Sequence, residues 1–106
     1  MKTETILVKA KFTLYPTEKS NRKTPIKSGY RPNHVFEYDK NGSFRQTYIG
    51  QITFEKNEFI QLGETEIVTV EFLRLFDIDK YMTIGRKWWI HEAKYVIGEA
   101  EIIDII

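Results

Sequence analysis

Ile6-Leu7-Val8-Lys9-Ala10-Lys11-Phe12-Thr13-Leu14-Tyr15 is the stretch that decides the fold. Ile6, Val8, Ala10, Phe12 and Leu14 fall on alternate positions, with Lys9, Lys11 and Thr13 between them and Tyr15 on the same alternate set as the lysines. Successive side chains of a strand point to opposite faces, so a period of two describes a strand with one buried face and one facing water. Such a strand cannot bury its apolar row alone and calls for further strands with matching faces.

The alternation stops over residues 16–33, where Pro16, Pro25, Gly29 and Pro32 punctuate a connection longer than compact domains usually carry without a use. Strand character returns at 35–38. Asp39-Lys40-Asn41-Gly42 then reads as a tight hairpin turn, from which Phe44 runs back antiparallel as far as Phe54. Gly50 interrupts that strand, as happens at bulges and where backbones approach closely. Residues 59–62 and a Gly63-Glu64 turn lead into 66–76, the most continuous strand signal in the chain, and 77–83 form a second irregular loop. Residues 87–91 and 95–97 read as a hairpin turning at Glu92-Ala93-Lys94, and 99–106 close the set. No eleven-residue window keeps a 3.6 period, so no helix is expected. The predicted fold is all-β: a small antiparallel Greek-key β-barrel of six or seven strands, whose closure removes the exposed edges of so aromatic a sheet.

The 106 residues suit one domain, with 42% apolar, 14% aromatic and 29% charged residues of mixed sign, a composition that folds. No apolar run is long enough to span a bilayer, and the first residues carry no secretion-signal pattern, so a cytoplasmic protein with no membrane partner is expected. Zero cysteines remove disulfides, thiolate nucleophiles and cysteine metal sites together. Charge is unevenly spread. Residues 1–32 carry eight Lys and Arg against two Glu, a balance of +6, while the other 74 carry eight against thirteen acids, a balance of −5. The first third is therefore the part suited to face an anion, although a solvated basic loop needs no ligand.

The chemistry-bearing residues are sparse. His34 and His91, the two histidines, stand far apart and form no His-x-His or His-x-x-x-His pair, so neither a metal nor a cofactor is expected and each reads as a partly exposed strand-end histidine. Asp77-Ile78-Asp79 places two acids on alternate positions without the further oxygens and glycine of a calcium loop. Ser20, Ser28 and Ser43 lack a nucleophile-elbow setting, and no Gly-x-x-x-x-Gly-Lys-Ser/Thr loop exists to cradle GTP phosphates. The chain reads as a non-enzyme. Trp88 and Trp89 are adjacent, so they point to opposite sides of the sheet. Trp88 is assigned to the core and Trp89 to an outer face, where a large indole suits an interface.

Lys23-Thr24-Pro25-Ile26-Lys27-Ser28-Gly29-Tyr30-Arg31-Pro32-Asn33, followed in order by Gly50-Gln51-Ile52, Leu62-Gly63-Glu64, Trp88-Trp89-Ile90-His91-Glu92 and Val96-Ile97-Gly98-Glu99-Ala100, resembles the third, C-terminal domain of elongation factor Tu across nearly the whole chain. The resemblance implies a stand-alone β-barrel without the GTPase and second domains, with no catalytic residue and no GTP. It also implies a surface used in that family to hold the T arm of tRNA and to pack on other proteins. Arg22 and Lys23 before Thr24-Pro25 resemble the family's tRNA-facing basic pair, Asn33 takes the place of its glutamine, and Glu92 matches its glutamate. His91 and Ala93 stand where the family has arginine and glycine. The expected function is a binding module, translation-related, with a protein partner first. RNA, including tRNA, is the alternative. Its candidate residues are Arg22, Lys23, Lys27, Arg31, Asn33, Trp89, His91 and Glu92.

Overall fold

The computed structural model describes residues 4–106. In chain order its elements are β1 (Thr5–Leu14), the short helix α1 (Thr17–Ser20), β2 (Ile26–Lys27), β3 (Asn33–Val35), β4 (Tyr48–Thr53), β5 (Phe59–Ile60) and β6 (Thr65–Leu73). A 3-10 turn (Ile78–Tyr81), β7 (Lys87–Glu92) and β8 (Tyr95–Ile105) complete it. The inward row of β1 is buried from Ile6 to Leu14. β1 lies between β6 and β8, antiparallel to both, with Ala10 opposite Val68 on one side and Ile102 on the other. Three apolar rows thus meet at one strand.

The sheet closes as β1-β6-β4-β3-β7-β8 and returns to β1, an all-antiparallel six-stranded barrel. β3, β4 and β6 are neighbours in turn, and β7, after a long connection, comes back beside β3, which is the Greek-key return. β2 and β5 form a separate two-stranded sheet, and their Ile26 and Ile60 join the same buried cluster as the barrel side chains. Two glycines allow close approach, Gly98 of a neighbouring backbone and Gly50 of buried side chains. A Cβ on Gly98 would stand 2.6 Å from the Thr13 carbonyl oxygen, and one on Gly50 would stand 2.8 Å from Phe72 Cδ1.

Four local expectations are corrected. Residues 16–33 contain one helical turn, α1, preceded by Pro16 and stopped by Asn21 at φ 63. A helix this short has no room to show a 3.6 period. Tyr15 is buried, because α1 folds back over it: the Lys19 ammonium sits 4.1 Å from its ring centre, and its hydroxyl donates to Glu99 at 2.8 Å. The turn at Asp39–Gly42 exists, with the Asp39 carboxylate accepting N–H bonds from Asn41 at 2.9 Å and Ser43 at 3.0 Å. The Asp39 N–H also reaches the Ser43 carbonyl at 2.7 Å, but no strand ladder extends from the turn, since β3 ends at Val35 and β4 begins at Tyr48. Finally, β6 ends at Leu73, and three residues later Phe76 adopts φ 57, which no strand can accommodate.

Candidate binding surface

Arg22, in the loop after α1, spends its guanidinium inside the chain. Its Nε donates to the Thr24 carbonyl at 2.8 Å, one Nη to the Pro25 carbonyl at 3.2 Å, and the other Nη to Glu92 at the end of β7. Glu92 also accepts the Tyr30 hydroxyl, while Arg22 lies against the Tyr30 ring at 5.3 Å. Burial, and then the bond to Glu92, hold the Tyr30 hydroxyl well above its usual range. One carboxylate thus fastens both ends of the 22–30 loop to the β7–β8 hairpin. Of the candidate residues, Arg22 and Glu92 are brought into direct contact.

The next pair along the sheet is Asn33 opposite His91, followed by Val35 opposite Trp89, with Glu99 of β8 on the far side of Trp89. These side chains lie on the outer face. It is covered in part, because residues 36–47 leave the sheet and fold across it. Tyr38 meets the Trp89 ring edge-on at 5.3 Å, and Phe44 meets the His91 ring at 4.8 Å. His91 is consequently buried, correcting the expectation of a partly exposed histidine. Its Nδ1–H donates to the Ala93 carbonyl at 3.3 Å, and its Nε2 accepts from Tyr38. Burial lowers the His91 pKa, against the opposing pull of the Ala93 carbonyl. The Tyr38 hydroxyl is pushed up to about 12 by burial. Trp89 remains half-buried, and Asn33 exposed.

His34 is the second correction. It is wholly buried, accepting the Trp88 indole N–H on Nδ1 at 2.9 Å and donating from Nε2 to the Gly50 carbonyl at 3.0 Å. Burial drives its pKa down to about 4. Trp88 is buried too, as its assignment to the core required.

The remaining candidates diverge. Lys23 is exposed beside Arg22, whereas Lys27 sits on β2 with its ammonium 3.9 Å from Glu58. Arg31 lies over a hollow of about 100 Å³ lined with Ile49, Gly50, Gln51, Glu71 and Leu73, on the β4–β6 side of Asn33. The fold therefore gathers Arg22, Asn33, Trp89, His91 and Glu92 on the β3–β7–β8 side, leaves Arg31 at its β4 border and puts Lys27 on the separate β2–β5 sheet. Tyr30, Tyr38 and Phe44 complete this surface without having been named as site residues. Tyr30 is expected in a loop and Tyr38 and Phe44 on strands, and neither setting says that residues 36–47 leave the sheet and land on this face.

The acids are also engaged: Asp77 accepts from Tyr48 at 2.7 Å and pairs with Lys80 at 2.7 Å, while Asp79 meets Arg74 at 3.2 Å. Among the described residues no three His, Asp or Glu side chains stand close enough together to hold a metal ion, and no helix is long and apolar enough to cross a membrane. No protein-family profile matches the chain, and no curated protein sequence matches it.

Proposed function

We propose that this barrel is a non-enzymatic binding module resembling the third domain of elongation factor Tu, cytoplasmic and translation-related, which presents its β3–β7–β8 side to a protein partner. The observation that carries the reading is the closure of Arg22 on Glu92 and on two backbone carbonyls. The cation that the resemblance would offer to a phosphate is already neutralised. What stays accessible is the half-buried Trp89 beside Tyr38, Asn33 and Glu99, a mixture of aromatic and polar groups typical of protein interfaces. The histidines and Asp77 are each held by hydrogen bonds within the chain, which favours a structural role for them over an acid–base one.

An RNA reading draws on a separate observation: Lys23, Lys27 and Arg31 are all exposed on the connection between β1 and β3. Affinity capture from a cell extract, with the wild-type chain and a Trp89→Ala variant, tests the first reading. A protein recovered by the wild type and lost with Trp89→Ala supports it; recovery of RNA alone overturns it. If RNA is bound, tRNA affinity falls steeply between about 50 and 200 mM salt as counterions are released, and Lys23→Glu with Arg31→Glu weakens it.

A further inference from the structure

One end of the barrel carries an apolar surface on β1, β4 and β6 that borders the candidate binding face where Ile49 stands opposite Asn33. In the closed order, β6 lies directly across from β7. At the base of β1, β4 and β6, Leu7 is 37% exposed, Ile49 53% and Phe76 72%, and Ile106, whose N–H bonds to the Leu7 carbonyl, is 69% exposed. Leu73 stands opposite Thr5 on the same side, and Leu75 follows it. The exposed parts of these six side chains amount to roughly 500 Å² of apolar surface, the size of the largest functional patches on soluble monomers.

Within this surface a protrusion and a recess are neighbours. The recess is the hollow of about 100 Å³ between β4 and β6, bounded by Ile49 and Leu73, with Gly50 lining it. The protrusion is Phe76, three residues beyond Leu73, its ring edge-on to Tyr48 at 6.3 Å. Phe76 also holds φ 57, a conformation costly for a bulky L-residue. Strain and exposure together are wasteful unless something uses the ring. The rim of the hollow carries one charge of each sign, Arg31 and Glu71, and neither has an ion-pair partner among the described residues.

We propose that the protein self-associates through this end as a two-fold dimer, with Phe76 of each copy seated in the Ile49–Leu73 hollow of the other. A two-fold axis passing between an adjacent protrusion and recess satisfies both at once, which closes the assembly at two copies. The same axis lets Arg31 of each copy reach Glu71 of the other, so the rim charges select a second copy over an unrelated apolar surface. At roughly 500 Å² the patch is smaller than the roughly 800 Å² per partner of a standard stable complex, so the expected affinity is weak, about 10 µM. The two surfaces adjoin, with Ile49 opposite Asn33 across β4 and β3, but they use different side chains, so loss of a protein partner with Trp89→Ala and loss of self-association with Phe76→Gly are separate outcomes.

Sedimentation equilibrium of the full chain tests it, with circular dichroism to confirm that each variant is folded. The wild type is expected to pass from one to two chain masses as concentration rises from about 1 to 100 µM. Phe76→Gly removes the ring and relieves the positive φ, so it is expected to weaken association at least ~30-fold while raising the melting temperature of the monomer. Arg31→Glu and Glu71→Arg are each expected to weaken association about fivefold and to restore it when combined. A single chain mass throughout that range, or association that survives Phe76→Gly, overturns the proposal.

Discussion

The Trp88 indole donates its N–H to His34 Nδ1 at 2.9 Å, and this bond decides the state of the imidazole. Indole nitrogen is a donor only, so Nδ1 must accept, and the single ring proton resides on Nε2, where it reaches the Gly50 carbonyl at 3.0 Å. A proton added at Nδ1 would point at another N–H in a wholly buried site.

That arrangement sets a pH dependence of stability. The folded-state pKa of His34 is depressed to about 4 from 6.5, so the unfolded chain binds a proton that the folded chain refuses anywhere between those values. The His34 contribution is complete above pH 6.5 and is lost as pH falls toward 4, to the extent of about 3 kcal/mol. Urea midpoints measured at steps from pH 7 to pH 4 should fall more steeply for the wild type than for His34→Leu. Equal slopes would refute the assignment.

Trp88→Phe removes the donor and leaves both an unpartnered Nδ1 and a void beside Phe36, whose ring stacks on the indole at 5.4 Å. A loss of about 2–4 kcal/mol is expected from denaturant unfolding. Gly50→Ala attacks the same cluster from the other side: its Cβ would lie 2.8 Å from Phe72 Cδ1 and 2.9 Å from His34 Nε2, both in the packed interior. It should cost about 2 kcal/mol or more.

The Arg22–Glu92 pair is partly exposed, with side-chain accessibilities of 15% and 38%, so its effect is expected to be local. Glu92→Gln should change global stability by no more than about 1 kcal/mol, because exposed pairs are weak. Amide hydrogen exchange in residues 22–30 should nonetheless accelerate several-fold, as the loop loses its anchor to β7. Unchanged protection there would mean that the backbone bonds of Arg22 suffice.

Ala93 turns the β7–β8 hairpin at φ 53, in the region that L-residues with a Cβ enter at a cost. Ala93→Gly should therefore raise stability by a few tenths to about 1 kcal/mol, the relief outweighing the added backbone freedom of glycine in the unfolded chain. A melting temperature lower than that of the wild type would show that entropy wins at this turn.

What the sequence determined by itself was the class of structure and the inward rows. Alternation is a local property, each residue two positions from its like, and Ile6 through Leu14 needed only partner strands of the same period to be buried as they are. Trp88 and Trp89 parted to opposite faces for the same reason. The candidate surface was legible only in fragments. Arg22 and Glu92 are 70 positions apart, and nothing in either neighbourhood says that the loop after α1 lands on the β7–β8 turn. The burial of His91 was equally hidden, because it depends on residues 36–47 leaving the sheet and laying Tyr38 and Phe44 across it. Strands are written in short-range periodicity, whereas the meeting of loops depends on how the barrel closes and which ends it brings together. Tertiary structure alone therefore decided that Arg22 is paired with Glu92, that both histidines are shielded, and that Lys27 lies beside Glu58 while Arg31 lies over the β4–β6 hollow.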